Sequence, residues 1–171
     1  MENIKGCRIT DDYVFFWGSE FSNWSPSIFW YAGQRFHNSE QAFMWEKASF
    51  FGDDKMRDEI QKETNPKYVK ALGRKVKGYD DTAWTIHSFG FMFSVNFAKY
   101  KQSEILKELL LSTGDRTLVE ASPYDRIWGI GIGKDDDDCL DENKWKGMNL
   151  LGKALMQVRK QLKEEENEED N

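Results

Sequence analysis

Between Ser39 and Asp53 the chain reads Ser-Glu-Gln-Ala-Phe-Met-Trp-Glu-Lys-Ala-Ser-Phe-Phe-Gly-Asp, and this stretch constrains the rest. Ser39 is suited to cap a helix, Gly52 to end it, and no proline interrupts it. Phe43, Met44, Ala48, Phe50 and Phe51 spread over most of the circumference, which predicts a nearly encircled helix rather than a surface one. Glu40 and Lys47 nevertheless lie inside it. Seven residues place them on one face, about two turns or roughly 10 Å apart. Charges on a helix with little solvent to face must be paired or must face a pocket. Two readings stay open on this ground: a snorkelling lysine with a backbone-bonded glutamate, or an active site.

The chain around this helix is expected to be mostly α, with a small β element near the N-terminus. Residues 13–17 suit a short strand ending at Gly18. Phe29 to Phe36 carries Ala-Gly between aromatic flanks and predicts a hairpin. Helical patterns follow over 55–63, over 66–77 behind Asn65-Pro66, over 82–100 with Gly90 inside it, and from Ser103 to Gly114. Residues 117–121 predict a strand, and a last helix runs through Leu162. The expected organisation is an N-terminal extension over 1–12, one domain over 13–162, and a disordered acidic tail over 163–171.

Composition narrows the function classes. Aromatic residues make up 15% of the 171, with 7 Trp and 12 Phe, more than a core of this size uses, so some rings are expected to line a ligand site. The net charge of −6 argues against general electrostatic gripping of extended nucleic acid. The six acids of residues 164–171 account for that whole charge and leave a near-neutral body with room for a local basic pocket. Cys7 and Cys139 lie far apart with no second pair, which predicts a reduced, intracellular protein and no needed disulfide. With no signal-like or membrane-length apolar run, the expectation is a soluble, cytoplasmic protein without membrane contact.

Several chemistries fit poorly. His37 and His87 lack partners at ligand spacing, so no metal is expected, and no cofactor. The Asp135–Asp138 run has Leu140 and Lys146 where a calcium loop needs glycine and glutamate, and reads as a solvated acidic loop. Gly129-Ile-Gly-Ile-Gly-Lys134 meets neither nucleotide-loop spacing; alternating glycines instead permit close approach of a ligand or another segment. Nucleophilic triads have no support around either histidine. The preceding turn, Ala121-Ser-Pro-Tyr-Asp-Arg-Ile-Trp128, brings Asp125 and Trp128 beside the glycines and is a candidate site loop. Lys47 is the better nucleophile candidate, because apolar surroundings favour its neutral amine. Glu40 on the same face suits proton transfer or stabilisation of an oxocarbenium-like charge.

Further short stretches fall in a telling order: Phe21-Ser-Asn23, Gly33, Ser39-Glu40-Gln41, Glu46-Lys47-Ala48, Leu72-Gly-Arg74, Trp84, Lys99 with Gln102, Leu118-Val-Glu-Ala-Ser-Pro-Tyr-Asp125, Trp128-Gly-Ile-Gly131, and Trp145-Lys-Gly-Met-Asn149-Leu-Leu-Gly152. In these the chain resembles the NADAR (YbiA-like) N-glycosidase family over about residues 13–162. The resemblance implies a mostly α-helical domain that cleaves N-glycosidic bonds. Its known substrates are phosphoribosylamino-pyrimidine intermediates of riboflavin synthesis, releasing ribose 5-phosphate, or ADP-ribosylated guanine in DNA or nucleotides. Carried onto this chain, it implies Glu40 as catalytic glutamate, Lys47 as Schiff-base lysine and Asp125 as the loop acid. Asn23, Arg74, Trp84, Trp128, Gly129 and Asn149 form the implied substrate-binding set, with Trp84 and Trp128 stacking and Arg74 or Lys99 meeting phosphate. For Lys99 a plain helix-surface charge is the competing reading. The expected partner is a small ribosylated base or ADP-ribosylated guanine, with no extended nucleic acid. A non-catalytic ADP-ribose or nucleotide-binding module is the rival of another class.

Overall fold

The computed structural model describes residues 4–169. Its strands are β1 (Cys7–Ile9), β2 (Tyr13–Phe16), β3 (Phe29–Tyr31), β4 (Gln34–Phe36) and β5 (Thr117–Glu120). Its helices are α1 (Ser39–Phe50), α2 (Asp54–Lys62), α3 (Pro66–Gly73), α4 (Asp81–Lys101), α5 (Glu104–Ser112) and α6 (Leu150–Glu169). The mostly helical expectation holds. The outer ends of the expected extension and tail, 1–3 and 170–171, lie outside the described residues.

The chain forms two compact units, one from 4–22 and 104–169, the other from 23–103. In the first, β2 pairs antiparallel with β1 and parallel with β5, Val14 opposite Leu118. Parallel pairing demands a long crossover, and residues 17–116 supply it. β1 falls in the stretch expected to be an extension; three residues carry too little periodicity to announce a strand. Phe15, Val119, Ala121, Ile130, Ile132 and Cys139 form the core on this sheet. Helix α6 packs on β5 through Leu151, Ala154, Leu155 and Val158, all buried.

The second unit is the β3–β4 hairpin and helices α1 to α4. The hairpin turns on Ala32 and Gly33, both at positive φ, as a two-residue turn of this twist requires. Helix α1 packs against α2, α3, α4 and β4, which is the encirclement its apolar spread predicts. Two boundaries differ from expectation. Asn38, not Ser39, caps α1, its Oδ1 accepting from the Gln41 amide at 2.9 Å. Helix α3 stops at Gly73 rather than Lys77, because Asp53 takes the Lys77 amide at 2.8 Å and Gly78 turns at φ +71°.

The acidic run expected to be disordered instead continues α6 through Glu169. Glu, Lys and Gln are strong helix formers, and lysines offset the charge: Lys107 reaches Glu166 at 2.7 Å and Lys160 reaches Glu164 at 3.8 Å. In the Asp135–Asp138 loop, Arg8 pairs with Asp137 at 2.9 Å, Lys134 with Asp135 at 2.9 Å, and Lys144 with Asp138.

Two glycines make opposite predictions. A Cβ at Gly152 would lie 2.1 Å from the Leu118 carbonyl, whereas one at Gly90 meets nothing within 4 Å. Gly90 therefore admits no close backbone approach. Urea unfolding should show G90A stabilised by about 0.5–1 kcal/mol. G152A should be destabilised by about 2 kcal/mol or more, since helix and strand must part.

Candidate active site

Glu40 and Lys47 are placed by α1. At its start, Asn38 Nδ2 donates to Thr64 O at 2.9 Å, and Gln41 Nε2 donates to the carbonyls of Ile60, Gln61 and Glu63 at 3.1, 3.1 and 2.8 Å. The Glu40 main-chain N–H donates to Asn23 O at 3.0 Å. Ser39 Oγ donates to Asn96 Oδ1 at 3.1 Å, and Asn96 Nδ2 donates to Asn23 Oδ1 at 3.3 Å. All these side chains are buried, as is Glu40 itself at 6% exposure. A buried polar network satisfied in this way fixes a single geometry. Asn23 thus supports Glu40 through its main chain and Asn96 through its side chain.

One turn further along the same face, Phe43 packs on Trp84 at 5.2 Å between ring centroids. In the last turn, the half-buried Lys47 rests its Nζ 4.2 Å from the centre of the Tyr79 ring and 5.7 Å from that of Trp84. Phe50 and Phe51 close on Trp84 at 6.4 and 6.1 Å. Burial pulls the lysine ammonium below its ordinary pKa, against the opposing pull of Asp81. Lys47 is therefore half-buried and, among the described residues, not in a salt bridge. Close packing brings this face together: Gly73 of α3 lies against Met44, whose Sδ is 2.1 Å from where a Cβ would stand.

Arg74 caps α3 and is exposed. Lys99 is fully buried, 5.1 Å from the Tyr100 ring centre, so a helix-surface charge is the wrong description of it. The buried residues of α4, Ser88, Met92, Val95, Asn96, Lys99 and Tyr100, form one stripe with Lys99 inside it, and its mixture of polar and apolar side chains hides that stripe in the sequence.

Asp125, Trp128, Gly129 and Asn149 belong to the other unit. Asp125 Oδ1 accepts the amides of Ile127 and Trp128 at 2.9 and 2.8 Å, which folds the loop and orients the half-buried indole. The glycines serve close approach within the protein. A Cβ at Gly129 would stand 2.8 Å from Glu120 O, and one at Gly147 2.2 Å from Gly129 O. Asn149, at φ +53°, accepts the Glu120 amide at 3.0 Å and donates to Leu118 O at 2.9 Å. With 2% exposure and both amide atoms on β5, it clasps the strand. Gly129, equally buried, is likewise scaffold by its contacts. Sequence reasoning missed Tyr79 and Asn96; neither carries a spacing signal, since the ring arrives from a loop and the amide from mid-helix.

The NADAR domain profile matches residues 15–163. N-glycosidase R617 of Acanthamoeba polyphaga mimivirus is 39% identical over 165 residues, 89% of this chain and 97% of its own. N-glycosidase YbiA of Escherichia coli K12 is 31% identical over 153 residues, 90% of this chain and 84% of its own. The NMR structure of the E. coli protein YbiA superposes with a TM-score of 0.77 at 28% identity, covering 96% of this chain and 92% of that one.

Removing the Asn149 amide leaves a buried donor and a buried acceptor of β5 unsatisfied. N149A should lose about 2–4 kcal/mol in urea unfolding, with little change in ligand affinity of the folded fraction measured by calorimetry.

Proposed function

We infer that this chain, which belongs to the NADAR domain family, is a hydrolase of N-glycosyl bonds, and we propose that α1 carries its reaction through Glu40 and Lys47. The observation that carries the proposal is the Lys47 amine, half-buried among aromatic rings on the helix that holds a buried carboxylate in its first turn. A neutral amine is a nucleophile, and a lowered pKa raises its neutral fraction at a given pH.

For a ribosylamine, the sugar ring opens as C1′–O4′ breaks, O4′ taking a proton and C1′ becoming an iminium carbon. Lys47 Nζ adds to C1′, a proton moves from Nζ to the departing nitrogen, and the C1′–N bond to the base breaks with its electron pair leaving on that nitrogen. Water then adds to the Lys47–C1′ iminium, and its collapse frees the sugar as an aldehyde and restores the amine. Glu40 is the group proposed to carry protons between these steps. Trp84 offers a face for base or ribose beside the lysine, and exposed Arg74 offers a fork for phosphate.

The favoured substrates are phosphoribosylamino-pyrimidines of riboflavin synthesis, small anions that a near-neutral body accommodates without a basic track. ADP-ribosylated guanine is the second reading, supported by the same ribosyl-to-nitrogen linkage. A side-by-side assay of free base and sugar released from the two substrate classes separates them. E40Q and K47A should each lower kcat by about 100-fold or more while still binding ligand. Borohydride during turnover should trap a sugar adduct on the Lys47 peptide. Turnover without any adduct would leave direct hydrolysis through a Glu40-stabilised oxocarbenium ion.

A further inference from the structure

Resting on the reading of Lys47 as nucleophile, we propose that Tyr79 is a positioning residue: its ring seats the Lys47 amine, and its hydroxyl holds Asp81 off that amine. The geometry has two parts. Lys47 Nζ lies over the Tyr79 ring at 4.2 Å. The hydroxyl of the same ring donates to Asp81 Oδ1 at 2.7 Å. Asp81 is near enough for its charge to act on Lys47. Among the described residues, however, no carboxylate makes a salt bridge with this lysine.

A salt bridge here would oppose the chemistry. A carboxylate in contact with the amine favours the ammonium, which has no lone pair to attack carbon. Committing Asp81 Oδ1 to the tyrosine hydroxyl keeps that competitor out of contact with the amine, and the first turn of α4 is a favourable place to keep an acid. The aromatic face does not bind the proton. It stabilises whichever cation the nitrogen carries, the resting ammonium or the later iminium, so the seat suits both ends of the covalent step. Burial and the Asp81 bond push the Tyr79 hydroxyl up to about 12, keeping it a donor.

The other charged groups nearby are engaged elsewhere. Glu46 of α1 bonds the Tyr31 hydroxyl. Asp53, capping α2, is spent on the amides of Met56 and Lys77. Asp80 accepts the Ala83 amide, and His87 of α4 packs on Phe50. Asp81 is thus the carboxylate whose charge acts on Lys47, opposing the larger effect of burial.

The test reads the amine directly in the intact protein. Acetic anhydride labelling of Lys47 across pH, quantified on its peptide by mass spectrometry, gives a midpoint for wild type, Y79F, D81N and the double variant. Y79F frees Asp81 and should raise the midpoint by roughly half a pH unit; D81N should lower it by a similar amount. The double variant should match D81N, because no carboxylate remains to be held back. The rising limb of the pH–rate profile should move with the label. A Y79F midpoint equal to wild type, or a Y79F shift of the same size with and without Asp81, would overturn the proposal. If Y79F proves unstable, an unchanged midpoint in D81N alone overturns it. Midpoints that move as expected while borohydride traps nothing would retire Lys47 as nucleophile and leave its positioning by Tyr79 standing.

Discussion

The amide of Gln41 is the interaction on which the site-bearing unit depends. Its nitrogen meets three main-chain carbonyls from the end of α2 and the residues after it, while its Oε1 accepts the His37 amide at 2.9 Å. One fully buried side chain thereby joins the exit of the hairpin, the start of α1 and the exit of α2. A shorter or apolar residue would strand several carbonyls away from water, at about 1–3 kcal/mol for each group left unsatisfied. Because a helix is rigid over three turns, fixing its first turn also fixes the position of its last. The proposed chemistry inherits its precision from this anchor, with Glu40 one residue before it and Lys47 six residues after.

The two units solve the placement of an acid differently. Glu40 is held by a helix start whose buried side chains bond main-chain carbonyls at the exit of α2 and, through Ser39, the Asn96 amide. Asp125 is held by the turn it makes itself, bonded to amides two and three residues on, and the surrounding glycines let the loop lie directly on β5. Asn149 secures the edge of β5 away from β2, accepting the Glu120 amide and donating to Leu118 O there, at a backbone angle that few residues other than glycine adopt. Scaffold and site residues share short sequence stretches for this reason. Loop chemistry here needs the strand beneath it held at fixed register.

That sharing explains what could be read from the sequence. The α1 charges, the hairpin, β2, β5 and the helices were legible because each rests on local periodicity or turn chemistry. So was the environment of Lys47, which its own apolar neighbours announce. Asn149 and Gly129 show the opposite case: a residue that makes main-chain contacts across 29 positions looks, in one dimension, like one kept for a ligand. Gln102 is similar; it grips Trp30 at 2.9 and 2.7 Å. Tyr79 was invisible because its partners, a lysine 32 positions earlier and an acid two later, meet only after α1 and α4 pack. The helical acidic end of α6 shows the limit of composition, since Lys107, 59 positions before Glu166, and Lys160, four before Glu164, offset charge that seems unbalanced along the chain.

The parallel bond between β2 and β5 has a consequence in time. Tyr13 pairs with Thr117, so β2 emerges from synthesis about a hundred residues before the strand that completes its sheet. Until then only β1 can pair with it, and the other edge stays open. The whole segment 23–103 is made in this interval, and its partners lie within itself. Folding that segment draws the two ends of a long loop closer before β5 arrives, which lowers the entropy cost of closing the sheet. The order of segments along the chain thus leaves one edge of β2 unpaired throughout that interval, when wrong pairing competes with the arrival of β5.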